Sequence, residues 1–270
     1  MSGKSFDLSE FLLVNEDNPL RYQDAATSEH VRLWLDYRAG GGVEDFDNTD
    51  GAKEFYRLLW SRLLDHLDMH VRPEGDTGTP SQYVQGDWMC SVWTTLKRGL
   101  QIQYGTNSWW RKTSIENTFG AKGKVTERTF RGILTHYDEF TTVLDNPYLK
   151  AFLRSAYTLA NLIVVPDGFN SARVLPTGDY WDKTLSLYFT QGNQLNYKGV
   201  DVSRPFRRLI QASIESDDAL FLRHWLNEQG QAIMLPKTPH SLKEWQELLH
   251  EMTERIHARR SAMYTVLANL

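Results

Sequence analysis

The sequence predicts an α+β protein that is mostly helical, with a small antiparallel sheet and a long C-terminal helix. Apolar residues recur at helical spacing over most of the chain, and only short stretches alternate in the way a strand requires. The segment Leu242–Leu267 carries a long helical apolar seam, interrupted at Arg259. Ser241 is the expected N-cap of this helix, and Glu244 stands at the capping-box position.

The composition is that of a globular protein. With 270 residues the chain can bury one large core or two modest ones. The single cysteine, Cys90, excludes an intramolecular disulfide and a cysteine-based zinc cluster, and it fits a reducing compartment. No apolar signal region is seen in Met1–Asp7, and no run approaches the roughly 18 apolar residues that span a bilayer. We therefore expect one cytoplasmic domain over residues 1–270, without a membrane contact and with a soft boundary in the loop 71–81.

The first third of the chain predicts two helices and one loop. The first helix covers Thr27–Tyr37, and the second covers Ala52–His70 with Asp50 as its cap. Val71–Ser81 is rich in Pro, Gly and Thr and predicts a loop. Leu100–Tyr104 alternates apolar and polar residues and is the clearest predicted strand.

Helices are predicted through most of the remaining sequence. Besides the C-terminal helix, their expected ranges are Thr126–Val143, Pro147–Thr158, Tyr180–Phe189, Ser203–Ile214 and Asp217–Glu228.

Charge is unevenly distributed along the chain. Residues 1–70 carry 14 acidic and 7 basic side chains, a local net charge of −7, and residues 97–131 carry 8 basic and 2 acidic side chains, a local net charge of +6. The basic segment predicts an anionic partner such as nucleic acid. The alternative is that the acidic N-terminal third docks against it.

Two adjacent tryptophans stand beside two cations within this basic segment. Such a pattern favours nucleic-acid contact, because aromatic faces stack on bases while cations meet phosphates. The residues predicted to bind nucleic acid are Trp109, Trp110, Arg111, Lys112, Lys122 and Lys124. The alternative for the two tryptophans is a strand with one ring buried and the other exposed.

Two histidine patterns carry chemical hypotheses. His66 and His70 are four residues apart, so a helix would place both on one face, where they suit a divalent metal; the alternative is a solvated helix edge. Arg131 and His136 have the spacing at which one group of helical ribonucleases acts on an RNA phosphate, although Gly132 weakens a helix there.

A second basic cluster comprises Arg204, Arg207 and Arg208. Arg204 and Arg208 share a helix face that could hold a phosphate. The alternative is a solvated face that pairs with nearby acidic residues.

The segment from Tyr157 to Leu187 has the most specific residue order in the chain. It joins an apolar run, a turn carrying Asn170 and Arg173, and an acidic and aromatic entry to a helix. One hypothesis makes Asn170, Arg173 and Asp182 catalytic. In the alternative, Asn161 and Asn170 satisfy buried backbone groups, and Arg173 pairs with Asp179 or Asp182 to lock the turn.

This segment resembles a bacterial protein family of unknown function. Members of that family have the patterns T-I-G-N-F-x-x-x-P, F-N-x-x-R and D-Y-W-D-L-T-L. The matching residues here are Thr158–Leu162 with Pro166, Phe169–Arg173, and Asp179–Leu185. Weaker likeness covers Tyr56–Ser61 and the C-terminal helix with Arg255 and Arg259. The resemblance implies a bacterial or phage protein and brings no activity with it.

A more remote resemblance is to the HNH nuclease domains of modification-dependent restriction enzymes. Their motifs match Ile115–Asn117, Ala160–Val164, Asn170 and Trp181–Lys183 in the same order. The resemblance implies a histidine base and a bound divalent cation acting on a phosphate. Asn117 stands at the position of that histidine and cannot take a proton. Nucleic-acid binding without cleavage is then expected, or cleavage with another base such as His136.

Three functions therefore stay open. The first is a protein that binds or acts on nucleic acid in bacterial or phage defence or counter-defence, with a metal-dependent nuclease as its enzymatic form. The second is a non-catalytic protein that binds another protein or a second copy of itself. The third is a small-molecule enzyme with a pocket near Asn170 and Arg173.

Overall fold

The computed structural model describes residues 31–32, 35–36, 39, 50–72, 82–105, 125–156 and 158–267, and it confirms the predicted fold class. The helices are α1 (Asp50–His66), α2 (Val92–Tyr104), α3 (Val125–Thr135), α4 (Thr141–Leu144), α5 (Pro147–Ala156), α6 (Phe169–Thr177), α7 (Trp181–Thr184), α8 (Ser203–Glu215) and α9 (Leu242–Leu267). The strands are β1 (His70–Val71), β2 (Tyr83–Trp88), β3 (Leu162–Pro166), β4 (Asn196–Tyr197) and β5 (Val200–Asp201). A π-helix, Leu185–Thr190, continues α7, and short 3-10 turns cover Tyr137–Glu139 and Leu159–Asn161.

The chain divides into two compact units. Unit 1 comprises Met1–Glu44, Val92–Leu159 and Pro236–Glu254. Unit 2 comprises Asp45–Ser91, Ala160–Leu235 and Arg255–Leu270. The expectation of one domain with a soft boundary at 71–81 stays a prediction, since residues 73–81 lie outside the described part.

Unit 1 is built around helix α2. One face of this helix is buried, and it includes Val92, Leu96 and Leu100. The Trp245 indole donates a hydrogen bond from Nε1 to the Thr95 carbonyl at 2.9 Å. A Cβ at Gly99 would lie 2.5 Å from Trp245 Cζ2, so only glycine lets the indole approach the helix this closely.

The strand predicted at Leu100–Tyr104 is wrong, because these residues form the last turns of α2. Val92, Leu96, Gly99 and Leu100 stand at positions i, i+4, i+7 and i+8, which is the repeat of a buried helix face. The alternation over five residues was too short to outweigh that longer pattern.

The helix predicted over Thr126–Val143 is divided in two. Helix α3 ends at Thr135, a 3-10 turn follows, and α4 begins at Thr141. The Thr135 hydroxyl bonds the Arg131 carbonyl at 2.8 Å, and such bonds compete with the helical ladder. Of the helix predicted at Thr27–Tyr37, the described residues 31–32 and 35–36 are helical.

The predicted C-terminal helix is confirmed as α9, with the same bounds. Its N-terminus has the expected cap, since the Glu244 N–H donates to Ser241 Oγ at 3.2 Å. The Glu244 carboxylate accepts the His240 N–H at 2.6 Å, and this bond lowers the pKa of Glu244. The helices predicted at Pro147–Thr158 and Ser203–Ile214 are present as α5 and α8.

Unit 2 contains a three-stranded sheet in the order β1-β2-β3. Strands β2 and β3 are antiparallel, with Val84 opposite Pro166 and Trp88 opposite Leu162. Strand β1 is parallel to β2, so the sheet is mixed rather than wholly antiparallel. Every residue of β3 is buried, which places this strand in the core of the unit.

The shared helix face predicted for His66 and His70 is not formed. Helix α1 ends at His66, Asp68 has a φ of +53°, and His70 belongs to β1, where it pairs with Tyr83. A non-glycine residue at positive φ ends a helix, and here it turns the chain into the sheet. Over the described residues, no group of three His, Cys, Asp or Glu side chains is placed to hold a metal ion.

The helix predicted at Asp217–Glu228 is also wrong, because this stretch is irregular. Asp217, Asp218 and Phe221 have φ values of +56°, +57° and +58°. The Leu220 carbonyl, which a helix would pair with a main-chain N–H, instead accepts a hydrogen bond at 3.1 Å from Arg259 of α9, 39 residues later in the chain. The predicted helix at Tyr180–Phe189 is present, as α7 and the π-helix that continues it.

Arg259 connects three parts of unit 2. It is 1% exposed and also donates to the carbonyls of Ala160 and Leu162, at 2.6 and 2.5 Å. Burial lowers the pKa of Arg259 to about 9, which leaves the guanidinium charged at neutral pH. Arg255, one turn earlier, donates to the Ile233 carbonyl at 2.8 Å. Helix α9 therefore holds the irregular chain that follows α8 at two points, Leu220 and Ile233.

In the part of the chain that the structure describes, the helices are too short or too polar to cross a membrane.

Candidate functional site

The segment Tyr157–Leu187 positions Arg173 on a helix rather than on the predicted turn. Helix α6 begins after Gly168, whose φ of +78° lets the chain leave β3. Arg173 is fully buried and forms ion pairs with Asp87 at 2.6 Å and with Asp179 at 3.2 Å. The pair with Asp179 is the one that the structural alternative predicted.

The Arg173–Asp87 pair connects α6 to the sheet. Arg173 Nε donates to Asp87 Oδ2 at 2.8 Å, and the guanidinium lies 5.4 Å from the Trp181 ring. Burial raises the pKa of Asp87 to about 6, although Arg173 acts to lower it. The Trp181 indole donates to the Trp88 carbonyl at 3.0 Å, so α7 is held to the same strand.

Asp182 is also buried, with 3% of its surface exposed. Its Oδ2 accepts the Leu235 N–H at 3.0 Å, which holds the end of the irregular segment. Its Oδ1 is buried and forms no hydrogen bond within the described residues. A buried carboxylate oxygen without a hydrogen-bond donor lowers the free energy of unfolding, so the surrounding fold must hold Asp182 in this position.

The two asparagines of this segment differ. Asn161 is fully buried and bonds both main-chain groups of Cys90, accepting its N–H and donating to its carbonyl, each at 2.9 Å. It therefore acts like a strand partner, as the structural alternative predicted for it. Asn170 is half-buried in the first turn of α6.

His136 lies in unit 1, whereas Asn170, Arg173 and Asp182 lie in unit 2. Its Nδ1 is 2.7 Å from Glu139 Oε1, and the imidazole is partly exposed. Arg131, its partner in the ribonuclease-like spacing, donates to the Ala39 carbonyl at 3.1 Å. The catalytic roles of these four predicted residues stay predictions.

The predicted nucleic-acid residues lie outside the described part of the chain; they are Trp109, Trp110, Arg111, Lys112, Lys122 and Lys124. Two described arginines of the same basic segment make main-chain contacts. Arg98 Nε donates to the Pro239 carbonyl at 2.7 Å, and Arg131 Nη2 donates to the Ala39 carbonyl at 3.1 Å. The contribution of segment 97–131 stays a prediction.

An open groove of about 1040 Å³ in unit 2 is lined by residues from four elements. They are His66 at the end of α1 with Leu67, Phe189 and Thr190 of the π-helix, the α8 residues Arg207, Arg208, Gln211, Ala212, Ile214 and Glu215, and the loop Glu228–Gln231. Two of the three arginines in the second basic cluster, Arg207 and Arg208, thus lie on one wall.

Arg207 is held in place by main-chain carbonyls. Its Nη1 donates to the carbonyls of Asn193 at 3.0 Å and Gly192 at 3.3 Å, both just after the π-helix, and to Ser203 Oγ at 3.2 Å. These partners use one terminal nitrogen of the five-donor guanidinium. Arg207 is therefore fixed in position by neutral partners, and its charge also interacts with the nearby Asp201 carboxylate.

Arg208 is exposed and makes no ion pair or hydrogen bond with any residue that the structure describes. Of the two acidic side chains in the groove, Glu215 accepts a hydrogen bond from Gln211 Nε2 at 2.7 Å, and Glu228 is exposed. The formal charges of the lining cancel, but the positive charge is concentrated at two adjacent positions on α8.

Asp201 anchors the start of the arginine-bearing helix. Its Oδ1 accepts the N–H and the hydroxyl of Ser203 at 2.9 and 2.6 Å, and the Arg204 N–H at 3.3 Å. Burial acts to raise the pKa of Asp201, but these hydrogen bonds prevail and lower it. The carboxylate is therefore a charged cap for α8.

The loop wall is held by a tight turn. Asn227 Oδ1 accepts the Gln231 N–H at 2.8 Å, and the Gln231 carbonyl accepts the Asn227 N–H at 2.9 Å. Thr190 Oγ1 accepts the Ala232 N–H at 3.3 Å, which ties the loop to the π-helix. Sequence reasoning identified the arginines but missed this wall, for which Asn227 and Gly230 were a usable turn signal.

Comparisons with protein-family models, with curated proteins and with solved structures found no match for this chain.

Proposed function

We propose that this protein binds nucleic acid and that the groove carrying Arg207 and Arg208 is a binding site. The observation that supports this most is the state of the two cations. Arg207 is fixed by main-chain carbonyls, and Arg208 has no partner among the described residues. Arginine is well suited to phosphate because its planar donors match two phosphate oxygens.

The shape of the site supports a polymer rather than a small solute. The groove is open and about 1040 Å³ in volume, larger than most drug-sized pockets. An open groove lets a chain of phosphates continue past its ends, which an enclosed cavity does not. Arg204 lies on α8 one turn before Arg208 and is exposed, so the positive charge extends along the helix.

The predicted basic segment 97–131 is a second source of affinity in this proposal. A role in bacterial or phage defence or counter-defence and a cytoplasmic location belong to it as well, as does cleavage with a divalent metal. Protein partners and self-association remain the alternative. The third function, a small-molecule enzyme, receives less support because Arg173 is fully buried among its partners.

The test is a fluorescence anisotropy titration with labelled DNA and RNA at about 50 and 200 mM salt. Binding that releases counterions weakens steeply over this range. Arg208→Ala should weaken binding for all sequences and reduce the slope of log K against log salt by about 0.7 to 0.9, the value for one lost phosphate contact. A parallel gel assay with Mg²⁺ or Mn²⁺ detects cleavage.

Arg204→Ala is the matched control, since Arg204 is an exposed arginine on the same helix but not in the groove lining. Its effect should be smaller than that of Arg208→Ala. Equal effects of the two variants on affinity would show that the groove contributes only general positive surface charge. No shift with any nucleic acid at low salt would refute the proposal.

A further inference from the structure

We infer that the groove takes unpaired nucleotides, with one base lying against the ring of Phe189. This inference rests on the proposed function and specifies its ligand as single-stranded nucleic acid. The arginines alone would suit any phosphate chain. The remaining lining residues supply groups that a duplex could not use.

Phe189 provides an aromatic face in the groove. It belongs to the π-helix Leu185–Thr190, in which Tyr188 is 3% exposed while Phe189 is half-buried and lines the groove. Wider π turns are frequent at functional sites. A Cβ at Gly230 would lie 3.7 Å from Phe189 Cε1, so the loop backbone passes beside the ring at a position that has no side chain.

The loop wall supplies groups that match base edges. Gln229 and Gln231 carry amides, and the exposed Glu228 carries a carboxylate that can accept from an exocyclic amine. Gln231 is oriented by Asn227, whose Nδ2 donates to Gln231 Oε1 at 3.2 Å. Amides can contact both phosphates and base edges, whereas the Glu228 carboxylate repels phosphate, so this wall suits a ligand that has more than a backbone to offer.

These lining residues discriminate between paired and unpaired strands. In a duplex the base faces are stacked and the Watson–Crick edges are paired, so Phe189 and the amides would gain little. In a single strand both are available, and recognition by stacking and edge contacts is typical of such ligands. Phosphate at Arg207 and Arg208, with a base at Phe189 and its edge at the loop, uses the α8 wall, the π-helix and the loop wall of the groove.

The experiment compares labelled 20-nucleotide single-stranded DNA, single-stranded RNA and the matching duplex by anisotropy, for wild type and for Phe189→Leu. The wild type should bind single strands more tightly than duplex. Phe189→Leu keeps an apolar side chain but loses the ring, and it should weaken single-strand binding by about 5-fold or more, the lower end for one stacked base. Duplex binding should change less than about 2-fold by the same argument, since stacked bases do not reach the ring.

Phe189→Trp is the conservative variant and should retain single-strand affinity. Tyr264→Leu is the matched control, because it removes an aromatic ring that is 49% exposed on α9, outside the groove. Photocrosslinking of a strand that contains 5-iodouracil to wild-type protein should label Phe189, which keeps the inference testable if Phe189→Leu does not fold.

Equal affinity for duplex and single strands, with Phe189→Leu unchanged, would overturn this inference and leave the proposed function standing. Absence of binding to any nucleic acid would overturn both. A preference between the DNA and RNA strands identifies the sugar of the ligand and supports the inference in either direction.

Discussion

Arg173 and Arg208 present the same guanidinium in opposite settings within unit 2. Arg173 is fully buried and lies within 3.2 Å of two carboxylates. Arg208 is exposed and has no partner among the described residues. Arg207 is intermediate, since main-chain carbonyls fix it and the Asp201 carboxylate interacts with its charge. The difference shows that an arginine in a distinctive sequence pattern can be fully enclosed by its partners, as Arg173 is, while one outside such a pattern is left exposed, as Arg208 is.

Substitution of the buried Arg173 should change the stability of the protein most. Arg173→Met should destabilise the protein by about 3–5 kcal/mol, because it leaves the Asp87 carboxylate buried without its cation. Urea denaturation followed by tryptophan fluorescence measures the change. Arg208→Met is the matched variant and should stay within about 0.5 kcal/mol of wild type. Similar losses of stability in the two variants would show that the buried and the exposed arginine contribute equally to folding.

The second effect is a pH dependence at Asp87. Its pKa is raised from 3.8 to about 6, so the folded state binds this proton more tightly than the unfolded state does. The stability due to protonation is fully present below about pH 3.8 and is lost as the pH rises through about 6. At about 1.4 kcal/mol per pH unit, this difference of 2.2 units corresponds to at most about 3 kcal/mol.

Unfolding free energies of wild type and Asp87→Asn, measured from pH 4.5 to pH 7.5, test this expectation. The advantage of wild type over the variant should shrink as the pH rises, while carboxylates common to both proteins cancel in the difference. Parallel curves would show that Arg173 holds the pKa of Asp87 near its ordinary value.

The smallest effect concerns the helix that carries the groove arginines. Asp201→Ala removes the acceptor for the first N–H groups of α8 and should cost about 1 kcal/mol. Because the pKa of Asp201 is lowered, its contribution is present above about pH 3.8 and is lost as the pH falls below it. Thermal denaturation at pH 7 and pH 3 measures this.

Asp201→Asn is the control, since the amide oxygen still caps the helix but does not titrate. It should keep most of the stability at pH 7 and lose the pH dependence. If Asp201→Ala leaves the melting temperature unchanged, the cap does not position α8 and Arg207 must be oriented by its carbonyl partners alone.

The fold was predictable where local signals sufficed. The bounds of α9 and its Ser241 cap followed from apolar spacing and one capping motif. The errors occurred where distant groups decide. The apolar spacing at Asp217–Glu228 does not reveal that Arg259, 39 residues after Leu220, will bind the Leu220 carbonyl. Likewise, Gly99 marks the place of the Trp245 indole only once both helices are known.

The candidate site was predictable in part for the same reason. Two features of the site are local in sequence and were identified from it. They are the cluster at Arg204, Arg207 and Arg208 and the pair between Arg173 and Asp179. Asp87 is 86 residues from Arg173, and its role required the register of the sheet. Phe189 and the Glu228–Gln231 loop join the arginines only through the fold; Asn227 and Gly230 indicate a turn in the sequence but not its place beside the arginines.

The position of Arg255 and Arg259 late in the chain has a consequence for biosynthesis. The segments that they hold, at 160–162, 220 and 233–234, all leave the ribosome before the two arginines do. At about 5–20 residues per second, tens of residues and several seconds separate emergence of β3 from arrival of its α9 clamp. During that interval the apolar strand Leu162–Pro166, which is buried in the folded unit, lacks this support and is open to contact with other chains.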